Sequence, residues 1–517
     1  MTASAEKSML KLTNAQVLAA AAKERLINVV SAPGSGKTTV AAERYGYQRY
    51  LRGDSRGVLG LTFNRAAAAE LRDRVEARWG GRCVGTAHQI VTFDHLHVQL
   101  LHRLLDEGKV IWPGGHTVLD VRDDYNGARG YRFLTVGNYI RFATLNSRNV
   151  VVSDSRQVVK PESGLGGAAD HRAVLSSGAV SHEDVRQILR SAMQIDEMRQ
   201  FASDWIRANY RALVIDEVYD GDDLDLYVAY LAAEGGLSVT LIGDPWQALY
   251  KWRGARPEVV EKLFDATSDR FVAFEQPESF RFVGDQMPQL TTALRSGHGV
   301  ILPVASSADV DVALARNWGL LWTVGDNVLP LAFRTVNNAT DAAMNLLLDV
   351  ATRTRLGVHS FGREGAIVRL GLDRDDFQAR QEEALGPILA NLRNGQKASQ
   401  VLDDLREAIK ALGVRKPNRL SDHKEAAVEA QLERLAARLA SAAVVPGLTV
   451  FQAKGREWGR VGVVLSQAQI TTLASGLQEL DEEHCVLYVA ITRARHACGR
   501  LVDNAGGSDA DELSLGI

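Results

Sequence analysis

The 517-residue chain has only three cysteines, Cys83, Cys485 and Cys498, too few and too scattered for a disulfide framework, a zinc knuckle or a four-cysteine iron–sulfur cluster. They read as buried or idle thiols. No apolar stretch is long enough to cross a bilayer, and the opening run MTASAEKSMLKLTNAQ has no apolar signal-peptide core, so the expectation is a cytoplasmic protein with no membrane partner. A basic surplus is missing as well. The formal net charge is −3, which gives no global electrostatic case for nucleic acid, so any such case must rest on local residues.

What is present is a multidomain composition: 46% hydrophobic and 24% charged residues over a length that favours two to four domains. Four apolar, β-branched runs, Leu26–Val30, Val58–Thr62, Leu213–Ile215 and Val239–Ile242, end where polar motifs begin and read as buried parallel strands. Helical stretches at Lys37–Leu51 and Arg65–Arg78 supply the alternation of a doubly wound α/β core. A second set, with Val328–Ala332, Leu448–Phe451 and Val461–Leu465 as strands and Glu482–His496 as a helix, predicts a second α/β core. Two insertions are expected. One covers 101–204 with the Gly-rich stretch Ser163–Ala169; the other covers 371–446, where Asp376–Leu392, Ala398–Leu412 and Glu425–Ala443 carry helical periodicity. The expected organisation is a first core from 1–100 and 205–270, a second from 271–370 and 447–503, and an acidic tail at 504–517.

The chemistry starts at Ser31-Ala-Pro-Gly-Ser-Gly-Lys-Thr38, between a strand and a helix. Glycines there let backbone N–H groups curl around phosphates, and the helix N-terminus adds favourable potential. Lys37 is expected to reach the β/γ-phosphates and Thr38 to hold Mg²⁺, with Ala32, Pro33, Gly34, Ser35, Gly36 and Thr39 completing the ATP cradle. Downstream, Val214-Ile-Asp-Glu217 is an apolar strand ending in two carboxylates. Asp216 suits the metal, and Glu217 suits the orientation and deprotonation of an attacking water.

Gly243-Asp-Pro-Trp-Gln-Ala-Leu-Tyr-Lys-Trp-Arg-Gly-Ala255 resembles the third motif of UvrD/Rep-like (superfamily 1A) helicases. Also similar are the stretches from Leu61 to Leu71 (motif Ia), Glu278 to Arg281 (motif IV), Thr449 to Trp458 (motif V) and Leu487 to Arg495 (motif VI), in the family's order. The resemblance implies two RecA-like P-loop motor domains with parallel sheets, each carrying a largely helical insertion, and an ATP-dependent DNA helicase of 3′ to 5′ polarity. It further implies that Gln16 reads the adenine, Phe280 stacks on it, Glu457 contacts the ribose and Gln247 senses the γ-phosphate. Arg281 and Arg493 become arginine fingers offered by the second core. Phe63, Tyr250 and Trp252 match positions that stack on unpaired bases of single-stranded or partly duplex DNA, with Asn64, Arg65, Arg253, Thr449 and Phe451 as further strand contacts.

The sequence departs from the family at Tyr219, where motif II usually has Gln, at Phe451, where motif V usually has His, and at Ala66, where motif Ia usually has Lys. Motif Ib stays open between Gly85-Thr-Ala-His88 and Thr92-Phe-Asp-His-Leu96. Two other functions are weighed. One is a motor subunit with a protein partner such as a nuclease in a repair or phage-defence assembly, suggested by a second insertion that is short for the family. The other is an ATP-switched DNA-binding module without processive movement.

Overall fold

A computed structural model describes residues 11–51, 55–125, 128–129, 132–135, 138–159, 165–414 and 416–502. The expected tail at 504–517 lies outside the described residues. The chain divides into two compact units, Met1–Val121 with Phe142–Asp154 and Arg172–Arg281, and Arg122–Arg141 with Ser155–His171 and Phe282–Ile517.

The first unit is built on six strands, β1 (Leu26–Ser31), β2 (Gly57–Thr62), β3 (Gln89–Thr92), β4 (Tyr210–Asp216), β5 (Ser238–Gly243) and β6 (Val272–Gln276). They lie in the order β6-β1-β5-β4-β2-β3 with every neighbouring pair parallel. The inner strands are apolar without alternation because both faces are covered. Helices α1 (Asn14–Ala20), α2 (Lys37–Tyr50) and α3 (Arg65–Trp79) supply part of that cover, with Val40, Ala41, Tyr45, Leu71 and Val75 packed on Ile27, Val29, Val58 and Val214. Arg44 of α2 is fully buried and donates to the carbonyls of Ala20 and Ala22 at the end of α1 and to Thr240 of β5. A cation at a helix C-terminus meets its unsatisfied carbonyls, so α1 is fixed against the sheet.

Two expectations about this unit are corrected. The boundary at 270 falls too early, because β6 pairs with β1 and brings 272–281 into the first unit. The segment 101–204 is not one body, since 122–141 and 155–171 group with the second unit. Within that segment strands join the helices α4 (Phe93–Asp106), α5 (His182–Ala192) and α6 (Asp196–Asn209): Asp120–Val121 pairs with Ala179–Val180, and Tyr139–Leu145 and Val151–Gln157 are extended. Helix α4 begins inside the span assigned to the first core, capped by Thr92.

The second unit has its own parallel sheet, β7 (Val304–Ala305), β8 (Val312–Ala315), β9 (Val328–Pro330), β10 (Val445–Thr449), β11 (Trp458–Val464) and β12 (Ala494–Leu501), in the order β7-β12-β11-β8-β10-β9. Its helical block is α8 (Ala339–Leu356), α9 (Arg363–Leu370), α10 (Arg374–Arg393), α11 (Ala398–Ala411) and α12 (Asp422–Ala440), which share one core of residues such as Leu347, Phe377, Leu389, Leu405 and Leu432. The block therefore opens at Ala339, not at 371. Helix α8 is buried from Thr340 to Thr352 and so shows none of the charged faces that marked the later helices. Buried Arg438 pins the end of α12 to this sheet by donating to the carbonyls of Val328 and Val324, with its guanidinium 4.7 Å from the Trp322 ring centre. Two element assignments also change. Strand β10 stops at Thr449, so Phe451 sits in the short helix Val450–Ala453, and the helix α13 (Glu482–Thr492) ends before His496, which lies in β12.

Candidate nucleotide and nucleic-acid sites

Strand β1 ends at Ser31, and the chain then turns through Gly34 and Gly36 at φ +73° and +85° before α2 starts at Lys37. Only glycine adopts these angles without strain, and space excludes other residues too. A Cβ on Gly34 would lie 2.4 Å from the Arg281 Cβ, and one on Gly36 would lie 2.8 Å from Gln16 Nε2. Lys37 is 9% exposed, and the buried Ser35 hydroxyl has no hydrogen-bond partner. Thr39 accepts from Arg74 at 3.0 Å.

Asp216 ends β4 with Thr38 hydrogen-bonded to its carboxylate and the Glu217 N–H donating to Oδ1 at 3.0 Å. Burial, with the Glu217 charge adding to it, pushes the Asp216 carboxyl up to about 7, while Lys37 and Thr38 pull the other way. A buried carboxylate held against so much desolvation is a site that a divalent cation would satisfy. Together with the glycine cradle and the orphaned Ser35 hydroxyl, the donor set fits a magnesium-bound triphosphate. Glu217 stands at φ +61°, a left-handed conformation that a non-glycine residue adopts at a cost of order 1–3 kcal/mol when the surroundings impose it. Past β5, Asp244 is buried and accepts from Gln247 Nε2 at 2.7 Å.

Gln16 lies against this loop with both ends of its amide in use. Nε2 donates to the Ser35 carbonyl at 2.9 Å and Oε1 accepts from the Thr13 N–H at 3.0 Å. After β6 the chain follows the same loop, Ser279 Oγ donating to the Pro33 carbonyl at 2.6 Å and the Phe280 N–H to the Gly34 carbonyl at 2.9 Å. Phe280 keeps its ring exposed and Arg281 is half-buried. The expectation that the second core offers Arg281 is thus corrected, because Arg281 comes with the first unit, beside Gly34.

Among the strand-contact candidates of the first unit, Trp252 is 57% exposed in a one-turn 3-10 helix, with the Arg253 guanidinium 4.7 Å from its ring and 5.6 Å from the Tyr250 ring. Phe63 is half-buried and stacks on Phe93 at 4.9 Å, and Arg65 is exposed. The Asn64 side-chain oxygen accepts from the Ala67 N–H and caps α3, and the side chain is exposed. Tyr219 is buried against the end of β5, where a Cβ on Gly243 would meet its ring at 2.7 Å. His88 accepts from the Val58 N–H through Nδ1, and burial lowers its pKa to about 4, so it serves the sheet as a neutral ring.

In the second unit Thr449 is buried, its hydroxyl without a hydrogen-bond partner, so it is no open strand contact. Phe451 is half-buried and Glu457 exposed. Arg493 is 1% exposed, with Nη1 3.5 Å from the Arg456 carbonyl, and its own carbonyl accepts from the Trp458 N–H. A cavity of about 500 Å³ next to these motif V residues is lined by Val358, His359, Phe361, Arg456 and Trp458 among others. Of these, Arg456 and Trp458 lie inside the motif V stretch without an expected role of their own, and the other three lie outside every motif. Arg456 and Trp458 flank Glu457 and could have been noticed; His359 and Phe361 follow α8, whose uniform burial hid the local pattern.

Residues 12–129 and 176–267 match the UvrD/REP helicase N-terminal domain, and residues 383–498 match the UvrD-like helicase C-terminal domain. The chain belongs to the UvrD/REP helicase family. It is 24% identical over 363 residues to DNA helicase II of Salmonella typhimurium, covering 64% of this chain and 45% of that protein. It is 23% identical over the same length to DNA helicase II of Escherichia coli, with the same coverage. To the Gabija protein GajB of Bacillus cereus it is 22% identical over 262 residues, 50% of this chain and 44% of the relative. The chain therefore matches a little under half the length of these relatives. No described helix is long and apolar enough to cross a membrane.

Proposed function

We propose that the chain is an ATP-driven translocase that moves 3′ to 5′ along single-stranded DNA and separates duplex ahead of it. The observation that carries the reading is the segment from Asp244 to Arg253. Its first half is buried at the end of β5 with Gln247 held on Asp244, and its second half presents the Trp252–Arg253 aromatic–cation pair to solvent. One short stretch can thus report on a nucleotide and grip a strand. Base stacking tolerates any sequence, which suits a protein without a basic surplus.

In this reading Ser31 to Thr39 cradle the phosphates of ATP, Lys37 offsets their charge, and Thr38 and Asp216 hold Mg²⁺. Bound Mg–ATP supplies the phosphoryl group and the charge change on which the motor turns. Glu217 takes the proton from the attacking water, Gln247 senses the γ-phosphate, and Arg281 and Arg493 stabilise transition-state charge. Gln16, Phe280 and Glu457 hold the adenosine, which requires Gln16 to loosen a present hydrogen bond. Phe63, Arg65, Tyr250, Trp252, Arg253 and Phe451 meet the strand, and the cavity at Phe361, Arg456 and Trp458 adds rings and a cation of the same kind.

The test is ATP turnover with and without single-stranded DNA or RNA, followed by displacement of a protein block from either end of a strand. Stimulation by DNA and displacement from the 5′ end alone are expected. ATP-controlled affinity without displacement would sink the translocase and leave the ATP-switched binding module. The second reading, a motor subunit beside a partner such as a nuclease, rests on the likeness to the Gabija protein, because a helical block that starts at Ala339 removes the argument from a short insertion. Strong activity of the isolated chain would count against it.

A further inference from the structure

We propose that helix α5 of the inserted segment positions the catalytic turn through Arg186 and Arg190, so that these two arginines set the rate of ATP hydrolysis without touching ATP. The inference rests on the reading of Glu217 as the general base. The turn after β4 leaves no slack. Glu217 is left-handed, the Asp220 N–H donates to the Glu217 carbonyl at 2.9 Å, and the Gly221 N–H to the Val218 carbonyl at 3.1 Å. Asp222 follows and opens the helix α7 (Asp223–Glu234).

Asp222 is where the turn is anchored. Its Oδ1 accepts the N–H groups of Leu224 and Asp225 at 2.9 Å each, and the Asp222 N–H donates to Asp225 Oδ2 at 3.0 Å, a reciprocal cap. Its Oδ2 accepts from two guanidiniums at once, Arg186 in a short contact and Arg190 at 2.6 Å. Arg186 also holds Asp94 of α4 at 2.9 Å and lies 3.5 Å from Asp225, while Arg190 holds Asp223 at 3.0 Å. Asp222 and Asp225 are buried, so the ion pairs are little screened and the anchor has few other positions to take. The turn itself is approached by one strand candidate, Phe63, and by Arg256, which follows the Tyr250–Arg253 candidates. The Arg256 N–H donates to the Gly221 carbonyl at 2.7 Å, and a Cβ on Gly221 would lie 3.3 Å from the Phe63 ring. Glu217 thus opens a turn whose far end is braced, and the brace belongs to α4 and α5.

Arg186→Gln and Arg190→Gln are the test, each made alone and in a Glu217→Gln background. Both are expected to lower turnover at saturating ATP about tenfold or more while the affinity for a fluorescent nucleotide changes less than about threefold. In the Glu217→Gln background the same changes should have no further effect on residual turnover, because residues that act through one group are not additive. Amide hydrogen exchange of the nucleotide-free protein should rise in a peptide covering 217–222 and stay unchanged in one covering the phosphate loop, and Arg186→Lys should restore part of the protection. If Arg186→Gln does not fold, Arg190→Gln, which leaves the Arg186 contacts with Asp94, Asp222 and Asp225 in place, decides. Unchanged turnover, losses that simply add to that of Glu217→Gln, or unchanged exchange at 217–222 overturns the proposal. Should Glu217→Gln alone keep wild-type turnover, the assignment of the general base fails first and the positioning role falls with it.

Discussion

Replacing Trp252 with Ala separates strand contact from packing more cleanly than any other change in the first unit. The ring is 57% exposed and sits on a one-turn helix with Arg253 at 4.7 Å. A core tryptophan cut to alanine costs roughly 3–5 kcal/mol of stability, but a mostly exposed ring removes little apolar area from water, and an exposed cation–π contact is worth about 0.5–1 kcal/mol. The melting temperature should therefore move by a few degrees at most. A base stacked on the ring contributes about 1–3 kcal/mol, which corresponds to a loss of roughly 5- to 150-fold in affinity for a short oligonucleotide. Basal ATP turnover should survive, and DNA-stimulated turnover should fall even at saturating DNA, because the segment that carries Trp252 also carries Gln247. Fluorescence anisotropy, thermal melting and both turnover measurements on one preparation give the answer. A large drop in melting temperature together with lost basal turnover would refute the reasoning and make Trp252 a packing residue.

Lys37→Ala and Glu217→Gln should both cut turnover to a measurable trace, but only Lys37→Ala should weaken nucleotide binding, as equilibrium titration would reveal. Arg281→Ala and Arg493→Ala should each cut turnover by about a thousandfold with a smaller change in ATP affinity; unchanged turnover at saturating ATP removes that arginine from the site. Asp225 offers a pH test. Burial and the Asp222 charge push its carboxyl up to about 8 against the pull of Arg186, with Asp94 raising it further and His97, itself lowered to about 3, staying neutral beside it. The folded state then keeps a proton that the unfolded chain releases above about pH 4, so this group's contribution declines as pH rises towards 8, by about 1.4 kcal/mol per pH unit. Asp225→Asn should gain on the wild type in melting temperature between pH 6 and 8 and then level off. A difference independent of pH would show that Asp225 is ionised throughout.

The parts of the fold that were legible share one property: a local pattern with a single physical reading. Apolar runs such as Val58–Thr62 and Leu213–Ile215 are buried on both faces and ended by polar motifs, so their strands were found to within a few residues. Strand β6 was missed because Val-Ala-Phe-Glu-Gln is an edge strand with an exposed outer side, and that one omission moved the domain boundary and with it the origin of Arg281. Helix α8 was missed for the opposite reason, since burial all round erases periodicity. Strand β12 was hidden behind α13, where the Cys485–Ile491 run reads as helix and nothing in Arg493–His496 announces a change of structure.

The site was legible as a list of motifs, but its mechanical connections were not. Motif II has Tyr219 where a Gln was expected, and from sequence alone this is simply a lost hydrogen-bonding group. In the structure the ring is wedged against Gly243, the residue that opens motif III, so closely that even a Cβ there would collide. The ring thus adds a steric contact between the two motifs. A movement of the Glu217 turn towards β5 would shift the segment from Gly243 to Arg253, and the braces from Arg186 and Arg190 bear on the same turn from its other end. In the proposed motor, coupling would depend on how stiffly Glu217 to Asp222 is held, a property of residues from three separate stretches of sequence that no motif brings together.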